Sequence, residues 1–455
     1  MSAIITQITH LIMIIFNFYE NIGTFVYDFY IANSRLILDY MHIFFDSFFY
    51  VLLYITIIFT FAYLMMGLIL LFKNKKTQEI PVKDSQLPKV TIQIPTYNEL
   101  AALNCAEKCL KFDYPKNKYK IIIGDDSSDK LISRKIDMFA KKHKDMVIVT
   151  RRGSNKGYKP GNLNHMLKYT KGEYIVIFDS DFLPEKDFLR RLIAPFVHNP
   201  NLSAVQARWI TKNYSQNLVS IVGGTIPLLT HYLGLPFLNL VNGNSFIGGS
   251  AEAIKKSDLI KMGGWQSGSL TEDIEFSLRM TKAGKSILYL DTLHCKCEAP
   301  FTLPDLGKQQ MRWSYGVITA IKEHFFGIVF NKKLSFNNKL NIFLLLYGYI
   351  ITFFFFLLGL TGALSIITHR PEIINWGKLI SETTLNITLT SGFLMATTIT
   401  LILGKKAREI PKMFIASFTV GLIIINIVTL GIFKAIFNRP MNWFMLTKQG
   451  NNLNV

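Results

Sequence analysis

Residues 43–72 form an apolar run in which Asp46 is the one charged side chain. About twenty such residues cross the hydrocarbon core of a bilayer, so the run predicts a membrane-spanning helix and an integral membrane protein. Three more runs share this character: 341–367, 384–403 and 413–437, the last with Lys434 as its single charge. The first two predict spans. Basic residues flank the third on both sides, with Lys405, Lys406, Arg408 and Lys412 before it and Arg439 and Lys448 after it. Positive flanks stay in the cytoplasm, so 413–437 predicts either a span or a re-entrant, surface-lying helix. The apolar run at 4–19 is interrupted by Thr6, Gln7, Thr9, His10 and Asn17, which fits a span or an interfacial helix.

The sequence "FKNKK" at 72–76 sets the sidedness: the chain beyond the firm span faces the cytoplasm. The expected organisation is a membrane region at 1–76 with one or two spans, a cytoplasmic block at 77–340, a second membrane region at 341–437 and a cytoplasmic tail at 438–455. The first run lacks a basic flank and a small-residue cleavage site, so no secretory leader is expected. These features predict a multi-pass protein of the plasma membrane. The formal charge of +19 admits nucleic acid or anionic headgroups and phosphorylated substrates as partners. With several spans present, membrane lipids and a phosphorylated substrate are expected, and no nucleic acid. Cys105, Cys109, Cys295 and Cys297 lack zinc-site spacing and read as free thiols in a reducing compartment.

Within the cytoplasmic block, short β-branched runs alternate with helix-like stretches, which predicts a mostly parallel, Rossmann-like α/β sheet covered by helices. The expected strands are 90–94, 119–124, 146–150, 173–179 and 202–209. Open sheets of this class bind ligands beyond the carboxyl ends of their strands. There the chain places "PTYNE" at 95–99, "DDSSD" at 125–129 and "DSD" at 179–181. Such residues also serve in turns and helix caps, but three polar clusters on one rim point to a ligand. Asp179 and Asp181 flank a small residue, so their carboxylates can converge on magnesium or manganese, ions that lean on substrate phosphates to complete their shells. Lys159, set between Gly157 and Pro160-Gly161, supplies a point charge to the same phosphates.

Two later stretches extend the pattern. In "SLTEDIEFSLRM" at 269–280, Thr271 suits a helix cap, and Glu272 and Asp273 suit the first turn. A carboxylate there can also take a proton from a sugar hydroxyl. In "KQQMRWSYG" at 308–316, Arg312 offers a fixed charge for a departing diphosphate and Trp313 a flat face for a sugar ring. The apolar segment 220–241 lies inside the block and predicts either an interfacial helix that guides an acceptor or a buried helix.

Taken in order, Asp125-Asp126, Lys159 to Asn164, Asp179 to Asp181, Thr271 to Asp273 and Gln309 to Trp313 resemble the motifs of membrane-bound family 2 glycosyltransferases. The likeness is strongest to cellulose-synthase-like mannan and glucomannan synthases. It is carried by "IPTYNE", "NKGYKPG", "FDSDFLPEKDFL", "VQARW", "LTEDIEFSLR" and "QQMRWSYG", and extends to "NWFMLTKQG" at 442–450. The resemblance implies a GT-A fold flanked by transmembrane helices and an inverting, metal-dependent hexosyltransferase. That enzyme would build a β-linked polysaccharide processively at the cytoplasmic face and pass it through its own spans. It implies a nucleotide-sugar donor, GDP-mannose or UDP-glucose, and a glycan acceptor; a single-sugar transfer to lipid, as in ceramide glucosyltransferases, is the alternative. By the same resemblance Tyr97, Glu99 and one or both of Asp125 and Asp126 would hold base and ribose. Lys159 and Arg312 meet the diphosphate, Asp179 and Asp181 hold Mg2+ or Mn2+, and Asp273 beside Glu272 is the base. Gln309 and Trp313 line the acceptor end. The chain departs from its relatives at "SFIGGSAEA", 245–253, where Gly248 removes bulk beside the acceptor.

Overall fold

The structure is a computed structural model that describes residues 2–73, 76–369 and 375–451. Asn74 and Lys75 of the basic stretch that sets sidedness, and the last four residues of the tail, lie outside the described residues. The chain divides into two compact units, one of Met1–Phe59 with Phe354–Thr390 and one of Thr60–Phe353 with Ser391–Val455.

The larger unit is built on a seven-stranded sheet: β1 Val90–Thr96, β2 Tyr119–Asp125, β3 Val147–Thr150, β4 Tyr174–Ile177, β5 Leu202–Thr211, β6 Glu252–Lys255 and β7 Ser286–Cys297. Their order is β3-β2-β1-β4-β6-β5-β7. The pairs β1·β2, β1·β4, β2·β3 and β5·β7 are parallel, and only β6 runs against its neighbours β4 and β5. The Val- and Ile-rich centre is buried on both faces, as a sheet sandwiched between helices requires. Successive side chains go to opposite layers. Ile92, Ile94, Ile121 and Ile123 join Cys105 and Cys109 of helix Ala101–Leu110 in one core. Ile122, Ile175 and Ile177 join Leu163 and Met166 of helix Tyr158–Leu167 in the other.

The five expected strands are present in the expected order, and β6 and β7 add to them. β4 stops at Ile177, two residues short of its expected end, so Asp179 and Asp181 stand free of the ladder at the mouth of the sheet. All four cysteines are unpaired and buried.

Among the described residues, four helices are long and apolar enough to cross a membrane: Phe16–Phe72, Leu218–Leu240, Gly348–Thr368 and Ala407–Ile436. The 4–19 and 43–72 runs belong to one uninterrupted helix, Ser2–Phe72. The run at 384–403 is not one helix: it breaks at Ser391 into Trp376–Thr390 and Gly392–Leu403. The break falls at Ser391-Gly392, a small-residue pair of the kind at which helices kink. The 413–437 run is interrupted by a π-helical turn at Ser417–Gly421. Its second half, Leu422–Ile436, packs on helix Leu303–Val329, where Gly431 lets Ser314 and Met311 approach. The apolar segment inside the block is three helical pieces, Leu218–Leu229, Thr230–Gly234 and Leu235–Leu240. One side of it covers the sheet: the His231 ring lies 5.0 Å from Trp209, and the Tyr289 hydroxyl donates to the His231 carbonyl at 2.6 Å.

Candidate active site

The carboxyl ends of β1, β2 and β4 and the floor loop before β6 open onto one region, and two lysines organise it. Gly157 and Tyr158 take left-handed backbone angles, φ 72° and 53°, so the chain turns sharply into helix Tyr158–Leu167 with Lys159 in its first turn. The turn is fixed from below. Asn162 donates to the Gly124 carbonyl at the end of β2, and Asn164 exchanges two hydrogen bonds with the backbone of Trp265. The two asparagines of the "GNLN" stretch are therefore anchors that aim Lys159.

The Lys159 ammonium lies 2.7 Å from Asp179 Oδ1 and 3.2 Å from Glu272 Oε1, and it donates to the Gly249 carbonyl at 2.7 Å. Burial opposes its charge. The carboxylates of Asp179, Glu272 and Asp273 outweigh burial and hold the lysine well above its ordinary value. Glu272 and Asp273 open helix Glu272–Lys282, where its dipole favours negative charge. Burial, reinforced by Glu272, nevertheless pushes the Asp273 carboxyl up to about 7, with Lys159 pulling the other way. Thr271 occupies the cap position without donating or accepting a capping hydrogen bond, contrary to the sequence expectation.

The second centre is Lys448, delivered by the tail. Its ammonium lies 2.8 Å from Asp181 Oδ1, 3.1 Å from Glu99 Oε2 and 2.7 Å from Ser180 Oγ, while Ser180 also bonds Glu99. Asp181 Oδ2 accepts from the Glu298 N–H at 3.1 Å. Burial would raise the Asp181 carboxyl, but Lys448 and that N–H bring it below the usual aspartate value. Asp179 raises both lysines, so the two centres share one charge. A resident divalent ion fits the chemistry of this donor set: Asp179 and Asp181 are hard carboxylate oxygens at the sheet mouth, the kind magnesium and manganese take. One other grouping of possible ligands occurs among the described residues, Glu275, Glu323 and His324. There Arg279 Nε sits 2.6 Å from Glu275 Oε1.

The other expected residues occupy the surrounding walls. Asp125 is fully engaged, accepting from the Ser127 N–H, the Ser133 hydroxyl and Arg151 Nε at 2.7 to 3.0 Å. Burial raises its carboxyl, and these donors reverse the shift to below the ordinary value. Asp126 forms a bidentate pair with Arg152, whose Nη2 is 2.6 Å away; burial still lifts this carboxyl. Neither arginine stands out in the sequence. Tyr97 sits on the rim, its ring 5.8 Å edge-on from Trp443 of the tail, which also stacks on Tyr158 at 6.5 Å. Arg312, Gln309 and Trp313 lie on helix Leu303–Val329. Arg312 Nη1 donates to the Leu270 carbonyl at 3.1 Å, just before Thr271-Glu272-Asp273, and Gln309 bonds Gln310. The structure thus gathers Lys159, Asp179, Glu272 and Asp273 at one centre and Asp181 and Glu99 at the other. It keeps Asp125 and Asp126 in their own ion pairs, and it holds Arg312 on the Leu270 carbonyl, two residues before Glu272 of the Lys159 centre. Gly248 faces the Trp209 ring, which a Cβ there would approach to 3.1 Å, and its N–H is held by Gln206.

Comparison with known proteins supplies the family. The chain matches glycosyl transferase family 2 over residues 91–249 and glycosyl transferase family group 2 over residues 174–405. It is 33% identical over 282 residues to glucomannan 4-beta-mannosyltransferase 2 of Arabidopsis thaliana, covering 60% of this chain and 51% of that protein. It is 30% identical over 326 residues to glucomannan 4-beta-mannosyltransferase 1 of Oryza sativa subsp. japonica, covering 67% and 62%. The chain therefore spans between half and two thirds of the length of these relatives. The fold resembles that of the mannosyltransferase PcManGT from Pyrobaculum calidifontis, solved with GDP-Man and Mn2+. The TM-score is 0.56 at 18% identity, with 78% of this chain and 99% of that one covered. With the second match extending over half its length and the sheet mouth built as described, the chain belongs to glycosyl transferase family group 2.

Proposed function

We propose that the protein is an inverting hexosyltransferase that builds a β-linked polysaccharide processively from a nucleotide sugar at the cytoplasmic side of the plasma membrane. The observation that carries this reading is the convergence of Lys159 with Asp179, Glu272 and Asp273 beyond the strand ends. Lys159 and Arg312 bind the diphosphate of the donor, and Tyr97, Glu99, Asp125 and Asp126 form the wall on the base and ribose side. Asp179 and Asp181 would hold Mg2+ or Mn2+, which supplies positive charge at the departing diphosphate. Asp273 takes the proton from the acceptor hydroxyl as it attacks the anomeric carbon from the far side, so an α-linked donor gives a β-linked product. A carboxyl that titrates near 7 suits that task at neutral pH. Gln309 and Trp313 line the acceptor side, and the apolar segment at 220–241 lies against the membrane face and guides the growing glycan.

GDP-mannose is favoured over UDP-glucose by the mannosyltransferase names of relatives at 30 to 33% identity. The test is to supply detergent-purified protein with each nucleotide sugar and Mg2+ or Mn2+, then measure nucleoside diphosphate release and analyse the product. A polymer cut by β-mannanase or β-glucanase is expected. A chloroform-soluble product bearing a single sugar would replace the polymer reading with transfer to a lipid, and no release with any donor would end both.

A further inference from the structure

The floor loop before β6 bonds Lys159 through its backbone and passes beside Asp273. Gly249 has φ 88°, and a Cβ there would stand 3.0 Å from Asp273 Oδ2 and 3.2 Å from Lys159 Nζ. Its carbonyl accepts from Lys159 at 2.7 Å. The loop is strained as well as close, because Ala251 also takes a left-handed φ of 52°. Something must hold it. Three successive backbone N–H groups are taken by three fully buried side chains: Ile247 donates to Ser277 at 3.0 Å, Gly248 to Gln206 at 2.7 Å and Gly249 to Glu252 at 2.7 Å. Ser277 in turn donates to the Asp273 carbonyl at 2.7 Å, so the loop and the helix bearing Asp273 are tied together.

Of the three holders, only Glu252 can ionise, and it is the one whose bond fixes the Gly249 peptide itself. It opens β6, opposite Ile177 of β4 on one side and Gln206 of β5 on the other, so the sheet itself positions its carboxyl. The geometry points to Glu252 as a positioning residue for the reaction assigned above, one that clamps the Gly249 peptide so that Lys159 and Asp273 keep their spacing. It works as a neutral acid. Its Oε2 accepts the Gly249 N–H, and its Oε1 has no partner among the described residues, which suits a protonated carboxyl better than an anion. Burial, and then the charge of Asp273, lift this carboxyl well above the ordinary range. A fourth negative charge beside Asp179, Glu272 and Asp273 around Lys159 is thereby avoided.

The inference rests on the glycosyltransferase reading, and the experiment separates the two. Glu252→Gln keeps the shape and the acceptor oxygen; Glu252→Asp and Glu252→Leu lose the reach or the oxygen. With donor-dependent release of nucleoside diphosphate by the parent protein as the baseline, Glu252→Gln should retain kcat within threefold. Glu252→Asp and Glu252→Leu should lose at least tenfold in kcat with less than a threefold change in donor KM. A Gln variant as impaired as the Leu variant, full kcat in the Asp and Leu variants, or a loss confined to donor KM would each overturn the proposal. Should Glu252→Leu fail to fold, the contrast between the Gln and Asp variants decides. A turnover-independent check is the structure of Glu252→Asp: Gly249 should move away from Lys159, and an undisturbed 2.7 Å contact there would overturn the proposal even if the parent protein transferred no sugar.

Discussion

The two lysine centres are made of the same chemistry and held in different ways. Lys159 belongs to the folded interior: its helix is pinned to β2 and to the Trp265 loop, and its ammonium meets side chains from the strand end and the helix Glu272–Lys282. Lys448 comes from an extended tail that is anchored by side chains spread over the unit, with the Gln449 N–H on Glu298, the Gln449 amide on Gln216 and the Ala101 N–H on Asn451. Both gain from carboxylates more than burial costs them. The difference is what each carboxylate keeps when its lysine is removed. Asp181 retains the Glu298 N–H, whereas Asp179, Glu272 and Asp273 would be left facing one another. The interior lysine is therefore expected to matter more.

The largest effect expected at the interior centre is loss of the base. Asp273→Asn should lower turnover by about 10² to 10⁴ while nucleoside diphosphate binding, measured by calorimetry, stays close to the parent value. Preserved turnover would remove Asp273 from that role and with it the claim that this centre holds the chemistry. Lys159→Ala comes next. It should lower donor affinity and turnover by about ten- to a hundredfold, the worth of a charge-assisted hydrogen bond, and should also lower the melting temperature.

The pH profile sharpens the comparison further. Asp273 acts as the carboxylate, and its value is raised to about 7, so turnover should rise with pH and level off above neutrality. Each pH unit below that point should cost about tenfold, and the residual rate of Asp273→Asn should lack this limb. Lys448→Ala should do least, lowering turnover by under about tenfold, because Asp181 keeps a second partner in the Glu298 N–H. If Lys448→Ala proved more damaging than Lys159→Ala, the order of the two centres would be reversed.

Much of the sheet was legible because β1 to β5 are short Val- and Ile-rich runs bounded by turns, and the rule that ligands gather at strand ends pointed to 95–99, 125–129 and 179–181. β6 escaped because "EAIK" is four residues long and begins and ends on charge. β7 escaped because its twelve residues alternate with His294 and Lys296, which weakens the apolar signal. The partners at the site were not readable at all. Glu99 and Lys448 are 349 positions apart, and the pairing of Asp126 with Arg152 depends on how β2 lies beside β3. Gly249 and Glu252 look like ordinary members of a loop and a strand until the fold sets them against Lys159 and Asp273. The break at Ser391 was hidden for a related reason: hydropathy averaged over 384–403 passes over the short Thr390-Ser391-Gly392 turn within it.

The thiols offer a practical handle. Cys105, Cys109, Cys295 and Cys297 are unpaired and at most 4% exposed, packed between the sheet and its helices. A maleimide dye should therefore ignore the native protein, so a single cysteine engineered onto the surface can be labelled without first removing the natural four. As heat or detergent opens the core, the same four should become reactive and report the loss of the sheet directly.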